Sequence, residues 1–218
     1  MVAPYRVVVI NLAHRKDRWN ETARELRTLG IPPQRIVRLD ATKDTPGYLG
    51  CAHSHLRALL LARRQRWPSV LIIEDDFKSA VGGREMALRL TKFSAEVKEF
   101  DVLMLAHHCC GIFPSGKPAG SRSWDAGRGG VVRAEGDAQT TAAYVVHERF
   151  YDALIENRAR GLDEARACNQ GGDGGRYACD QFWKPLQTTS EWFLAEPRLA
   201  TQRPSHSDVE DEWRDYGV

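Results

Sequence analysis

Apolar and polar positions along this chain switch between two periods. Residues 6–12 (RVVVINL) and 70–73 (VLII) are short continuous apolar runs, the pattern of strands buried on both faces. Trp19, Ala23, Leu26 and Leu29 recur at helical spacing, and Gly30 followed by Pro32 and Pro33 stops that segment. Residues 36–39 predict a second strand. A second helix is predicted to open at Gly50, with Ala52, Leu56, Leu59 and Leu60 on one face, and to end near Trp67 and Pro68. Residues 84–99 predict a third helix, and residues 101–105 another buried strand. This alternation predicts an α/β fold: a mixed, mostly parallel sheet with helices on both faces.

The second half reads differently. Residues 107–130 hold six glycines and two prolines with few apolar positions, which predicts a long mobile loop, of the kind that is usually functional or disordered. Residues 139–146 (QTTAAYVV) return to strand and 148–157 to helix, with Phe150, Leu154 and Ile155 inward. A second glycine-rich stretch, 169–175, precedes Asp180 and a short helical segment. Residues 191–195 form a late strand, and 202–210 are polar. At 218 residues the chain suits one domain, divided into a first half (1–106) and a second (107–218).

Composition narrows the function classes. A formal net charge of +2 gives no footprint for nucleic acid. No apolar run reaches the ~18–20 residues of a membrane span and no signal-peptide pattern opens the chain, so a soluble, cytoplasmic protein is expected, peripheral to a membrane at most. The five cysteines (Cys51, Cys109, Cys110, Cys168 and Cys179) are odd in number and form no C-x-x-C pair, which argues against a disulfide framework or structural zinc. His107, His108 and Cys109 are a poor soft-metal set, because consecutive side chains of an extended segment point to opposite faces. Neither glycine-rich stretch is a G-x-x-x-x-G-K-[ST] loop, and no G-x-G-x-x-G opens a first helix.

The chemistry concentrates where the third apolar run ends in Glu74, Asp75 and Asp76. Carboxylates crowded at the mouth of a buried strand repel one another and lose hydration. A hard divalent cation relieves both, since such ions prefer oxygen ligands. The carboxyl ends of strands are also where open α/β sheets bind ligands. A metal holding a phosphate-bearing substrate is therefore one reading; acids that open a solvated loop and cap a helix are the other.

Five segments in order resemble glycosyltransferase family 25, the lipooligosaccharide and procollagen galactosyltransferase group. They are Val9-Ile10-Asn11-Leu12 with Arg15, Asp17, Arg18 and Trp19; Gly50-Cys51-Ala52-His53-Ser54-His55; Ile73-Glu74-Asp75-Asp76; Thr141 to Val146; and Gln202 followed by Ser205-His206-Ser207-Asp208-Val209-Glu210. The resemblance spans essentially the whole chain. It implies a GT-A type, Rossmann-like fold, a UDP-hexose donor (galactose or glucose), Mn²⁺ or Mg²⁺, and inverting transfer to a glycan or hydroxylysine-type acceptor. A departure is that the acidic triplet opens with Glu rather than the Asp of the usual DXD.

On that reading, Asp76 binds the metal directly and Glu74 lies nearer the ribose or behind the direct ligands, although the sequence leaves open which two of the three acids face the ion. His206 and Asp208 are candidate further ligands; their plain alternatives are an exposed loop histidine and a helix cap. Arg15 and Arg18 can reach a nucleotide or its phosphates, or else pair with Asp17 or Glu21. Asn11 and Leu12 are candidate contacts for the base, and Asp40 for ribose hydroxyls. Ser54 and His55, taken to lie near a helix N-terminus, would face the diphosphate, unless they serve as caps. Asp180 is the candidate catalytic base, with plain N-capping as its alternative, and Asp75 or Asp173 next in line. Trp183, Trp192 and Tyr144 could stack on sugars, but core positions suit them better. A catalytically silent glycan- or nucleotide-binding member is the competing functional class. A receiver-like phospho-acceptor is disfavoured, because its sheet would be complete in ~120 residues and leave the tail segment without a role.

Overall fold

The computed structural model describes residues 6–109, 130–168, 174–207 and 212–215. The chain begins with strand β1 (Arg6–Asn11), helix α1 (Lys16–Thr28), strand β2 (Ile36–Asp40) and helix α2 (Gly47–Arg64). Strand β3 (Ser69–Glu74) follows, and a tight turn at Asp75 and Asp76 leads into β4 (Phe77–Ser79). Next come α3 (Gly83–Glu96), β5 (Val102–Met104) and the short β6 (His108–Cys109). Beyond residue 130 lie β7 (Val131–Arg133), β8 (Ala138–Gln139), β9 (Ala143–His147), α4 (Tyr151–Ala167), α5 (Cys179–Phe182) and α6 (Lys184–Thr189). The chain closes with β10 (Trp192–Ala195), β11 (Ala200–Gln202), β12 (Ser205–Ser207) and β13 (Glu212–Arg214).

Seven strands form the main sheet in the order β2-β1-β3-β9-β5-β10-β7. β2, β1, β3, β5 and β10 run one way, while β9 and the edge strand β7 run against them. The sheet is thus mixed and mostly parallel, as the alternation predicts. Side chains along a strand alternate between faces. Val7, Val9, Leu71 and Ile73 accordingly pack with Leu26 of α1 and Leu90 and Phe93 of α3. Val8, Ile10, Val70 and Ile72 pack on the opposite face with Ala58 and Leu59 of α2, Leu154 of α4 and Trp183. Both faces are covered, which is why these strands read as continuous apolar runs rather than alternating ones.

Several expectations shift. α2 opens at Gly47, three residues before Gly50, and Leu60 lies on its exposed side. α4 continues ten residues past the predicted end, because Leu162 and Ala165 bury a second stripe beside Leu49 and Ala52 of α2. The charges interleaved there hide that stripe from a hydropathy reading. The predicted strand 139–146 is broken at Thr140, whose φ is +81°, into β8 and β9. Within 107–130, residues 110–129 lie outside the described residues, as do Asp173 and Asp208; β6 occupies the start of that stretch. No helix among the described residues is long and apolar enough to cross a membrane.

Gly50 sits where α2 crosses the segment after β2. A Cβ there would lie 2.5 Å from the Thr42 carbonyl oxygen and 2.9 Å from the Asp44 amide nitrogen. Alanine is worth up to ~1 kcal/mol over glycine in a helix, but overpacking against backbone costs typically ~1–3 kcal/mol. The collision should win: Gly50→Ala is expected to lower stability in chemical denaturation, and a stabilised variant would show that the 42–44 segment yields freely.

Candidate active site

The acids at the end of β3 open onto a cavity of about 1030 Å³ at the carboxyl edge of the sheet. Its walls come from the end of β1 (Ile10, Leu12), from residues 41–48, from α2, and from the β8–β9 break with α5. The tail closes it with Gln202 and Ser205. The tail reaches the acids because β4 pairs antiparallel with β11, matching Phe77 to Gln202.

Arg18 organises the acidic turn. Its Nη1 donates to Asp75 Oδ1 at 2.8 Å and lies 3.9 Å from Asp76 Oδ2. Its Nη2 donates to Ser205 Oγ and to the His206 carbonyl oxygen, each at 2.6 Å. Asp75 is further held by Asn11 Nδ2 at 2.6 Å, and its backbone carbonyl accepts from Thr22 Oγ1 at 2.7 Å. Asp75 thus serves as a buried anchor. Asp76 differs: Gln202 Nε2 donates to Oδ2 at 2.9 Å, whereas its buried Oδ1 has no hydrogen-bond partner among the described residues.

A second polar chain lies on the cavity floor. Tyr144 Oη and His55 Nδ1 are 2.8 Å apart, and His55 Nε2 lies 3.3 Å from Glu74 Oε1. Thr141 Oγ1 donates to the same carboxylate oxygen. Cys51 and Cys179 sit alongside, their sulfurs 3.6 Å apart. Asp180 lines the cavity, with its Oδ2 accepting the Thr140 amide at 3.2 Å, and Ala178 rather than Asp180 occupies the N-cap position of α5. That hydrogen bond fixes the strained backbone of Thr140 at the cavity wall.

The remaining predicted residues separate. Leu12, Arg18, Ser54, His55, Glu74, Asp75, Asp76 and Asp180 line the cavity. Asn11 is buried behind it, bonded to Asp75, and Arg38 Nε donates to its side-chain oxygen. Arg15 pairs with Asp17 at 2.9 Å, which is the plainer of its two readings. Arg18 lines the cavity and pairs with Asp75 rather than with Asp17 or Glu21. The Asp40 side chain is mostly exposed, and Arg57 reaches its backbone carbonyl instead. Ser54 and His55 lie in the third turn of α2, because the helix opens at Gly47; an N-terminal anion site does not include them. Ser54 Oγ donates to the Gly50 carbonyl and accepts the Thr42 amide. His206 is exposed on β12 and absent from the cavity wall, where its neighbour Ser205 stands. Tyr144, Trp183 and Trp192 are fully buried core. His107 is buried against the Ala195 carbonyl at 2.9 Å, while His108 lines the cavity, so the two do not converge on one ion. Residues 42–48, Gln139 and Thr140 were missed, since residues of ordinary composition in loops and at element ends carry no pattern.

Electrostatics sort the three acids. Burial, then the charges of Glu74 and Asp75, push Asp76 up to about 7. Burial also raises Asp75, against the opposing pull of Arg18 and Asn11. For Glu74 burial pushes upward as well, but the hydrogen bond and charge of His55 and the Thr141 hydroxyl overcome it, and the net direction is down. The contact with Cys51 lowers Cys179 to about 6, helped by the charges of Arg158 and His55, while that same contact and burial raise Cys51.

No family model and no curated protein matches the chain. Solved structures similar to it include a mannose-1-phosphate geranyltransferase from Thermus thermophilus, 12% identical over 89% of this chain and 74% of that one, with a TM-score of 0.43. A197 from STIV is 8% identical over 92% and 95%, at 0.44. A glycosyltransferase involved in the glycosylation of the major capsid of PBCV-1 is 8% identical over 88% and 93%, at 0.42. At this level of similarity they carry no argument about activity, and the chemistry is read from the residues themselves.

Removing Arg18 strands a buried carboxylate, and breaking such a pair typically costs ~3–5 kcal/mol. Arg18→Leu is expected to lose that much in equilibrium unfolding, and a loss under about 1 kcal/mol, the worth of a surface pair, would mean that Asp75 does not depend on it. Asp76 gives a pH signature. Its folded value of about 7 exceeds the ordinary 3.8, so the folded chain retains a proton that the unfolded chain releases, and stability falls as pH rises between those values. Asp76→Asn should therefore melt higher than the parent at about pH 8 in chelator, with the gap closing towards about pH 4. A gap independent of pH would show that Asp76 is not perturbed.

Proposed function

We propose that the chain is a metal-dependent glycosyltransferase of the GT-A kind, akin to family 25. It would move a hexose, galactose or glucose, from a UDP-sugar to a hydroxyl of a glycan or hydroxylysine-type acceptor, with inversion. The observation that carries this reading is the unpartnered Asp76 Oδ1, buried beside two more carboxylates at the rim of a nucleotide-sized cavity. A buried carboxylate oxygen left without a donor suits a hard divalent cation. Asp76 would hold the ion with help from Glu74; Asp208, the other ligand expected from the sequence, lies outside the described residues, and His206 is absent from the cavity wall. When bound, Mn²⁺ or Mg²⁺ supplies positive charge for the diphosphate of the departing UDP.

The chain's own residues support the remaining steps. Thr45 to Tyr48 bring the N-terminus of α2 to the cavity wall, where the helix dipole favours an anion. Ile10 and Leu12 offer an apolar edge to a base. Arg18 keeps Asp75 engaged, which leaves Asp76 as the acid short of a counter-charge. Asp180, whose Oδ2 accepts the Thr140 amide, would take the proton of an acceptor hydroxyl entering the cavity.

The test is UDP release from UDP-galactose and UDP-glucose with Mn²⁺. Turnover should be metal-dependent and fall ~100-fold or more in Asp76→Asn, on the scale of lost electrostatic stabilisation. Asp180→Asn should keep donor affinity while transfer drops by ~10²–10⁴, the usual worth of a general base. Tight UDP binding without turnover on any acceptor would point instead to a silent binding module. Normal Mn²⁺ and UDP binding by Asp76→Asn would remove Asp76 from the metal site.

A further inference from the structure

The floor of the cavity carries a constellation that the transferase reading does not use. Cys51 and His55 are four residues apart on α2, so helical geometry stacks them on one face. Cys179, 128 residues away from Cys51 in sequence, begins α5 and meets them there. A ligand atom from each of the three lies within 4.8 Å of the other two, and among the described residues no other His, Cys, Asp or Glu group converges in this way.

We infer that Cys51, His55 and Cys179 form a site for a soft divalent cation, with zinc as the fitting ion. Three features of the geometry support it. Two sulfurs bonded to a tetrahedral zinc at about 2.3 Å stand roughly 3.8 Å apart. The observed separation is 3.6 Å, whereas a disulfide needs about 2.05 Å, so the pair stands at bridging rather than bonding distance. Both ring nitrogens of His55 are engaged, Nδ1 by Tyr144 and Nε2 by Glu74. Whichever nitrogen turns to the ion, the other retains the outer contact that orients a metal-bound imidazole. Finally, two thiolates and a neutral imidazole neutralise a divalent cation, so the filled site carries no net charge into a buried position.

Filling the site forms two sulfur–metal bonds and one nitrogen–metal bond. The thiol protons leave to solvent, with no change in oxidation state. Three protein ligands leave a fourth position. Cys51, His55 and Cys179 all line the cavity, so that position is open to a ligand entering from it. This site is distinct from the oxygen-rich rim at Asp76 and stands whether or not the chain is a transferase.

The test uses the full chain, reduced and freed of metal, titrated with Co²⁺ and then Zn²⁺. One equivalent of cobalt should bind with thiolate-to-metal charge-transfer absorption and tetrahedral d–d bands, and zinc should displace it. Cys51→Ala and Cys179→Ala should each weaken binding by more than the ~10–100-fold that loss of an outer contact costs. Asp76→Asn should bind as the parent does. A second measurement covers variants that fail to fold: in the unaltered protein, zinc should shield Cys51 and Cys179 from alkylation, read by mass spectrometry, while Cys168 reacts as before. Cobalt spectra without sulfur character, binding unchanged in both cysteine variants, or equal alkylation with and without zinc would each overturn the site.

Discussion

The structure depends on one buried ion pair. Three consecutive acids cannot share the end of an interior strand without a cation beside them, and Arg18 of α1 supplies it. Its fork joins three parts of the chain that are distant in sequence: the first helix, the β3–β4 turn and the tail strand β12. A lysine ammonium would present one point charge where the guanidinium spans a carboxylate, a hydroxyl and a carbonyl. Asn11 and Thr22 complete the shell around Asp75. With one carboxylate neutralised so thoroughly, its neighbour Asp76 inherits the unmet demand for positive charge. That asymmetry between two adjacent acids turns a structural knot into a candidate binding site.

A second layer of polar groups lies beneath. Tyr144 comes from β9, His55 from α2 and Glu74 from β3, so the three hydrogen-bonded residues tie a helix to two adjacent strands. Buried polar chains of this kind are costly unless every member is paired, and here each has a partner. Glu74 belongs to both layers. Thr141 and His55 hold it from below, while its charge contributes from the side to the elevation of Asp76.

Much of the fold was legible because the strands are buried on both faces and the helices bury one. Continuous runs such as Val7 to Ile10 and the spacing of Leu26 and Leu29 are direct imprints of that packing. The start of α2 was misplaced because Gly50 invites a boundary, yet its role is steric: the helix passes too close to Thr42 for a side chain. The break at Thr140 was invisible because strand-like residues lie on either side, and the kink is held by a hydrogen bond that the Thr140 amide donates to a distant acid. In the site, the acidic triplet could be found from its strand, since charge at the end of an apolar run stands out. The partner of Arg18 could not, because 57 residues separate it from Asp75 and nearer acids competed for it. The meeting of Cys51 with Cys179 was hidden by the same limitation: counting and local spacing find neighbours on one segment, whereas these two meet only through the packing of α2 and α5.

The two candidate ion sites in this cavity differ in kind. The rim presents carboxylate oxygens, which suit small, strongly hydrated ions, and the floor presents sulfur and imidazole, which suit polarisable ones. An ion at the rim keeps open positions for a substrate's own oxygens, while an ion on the floor would take three protein ligands. Glu74 stands between them, with one carboxylate oxygen directed at His55 and Thr141.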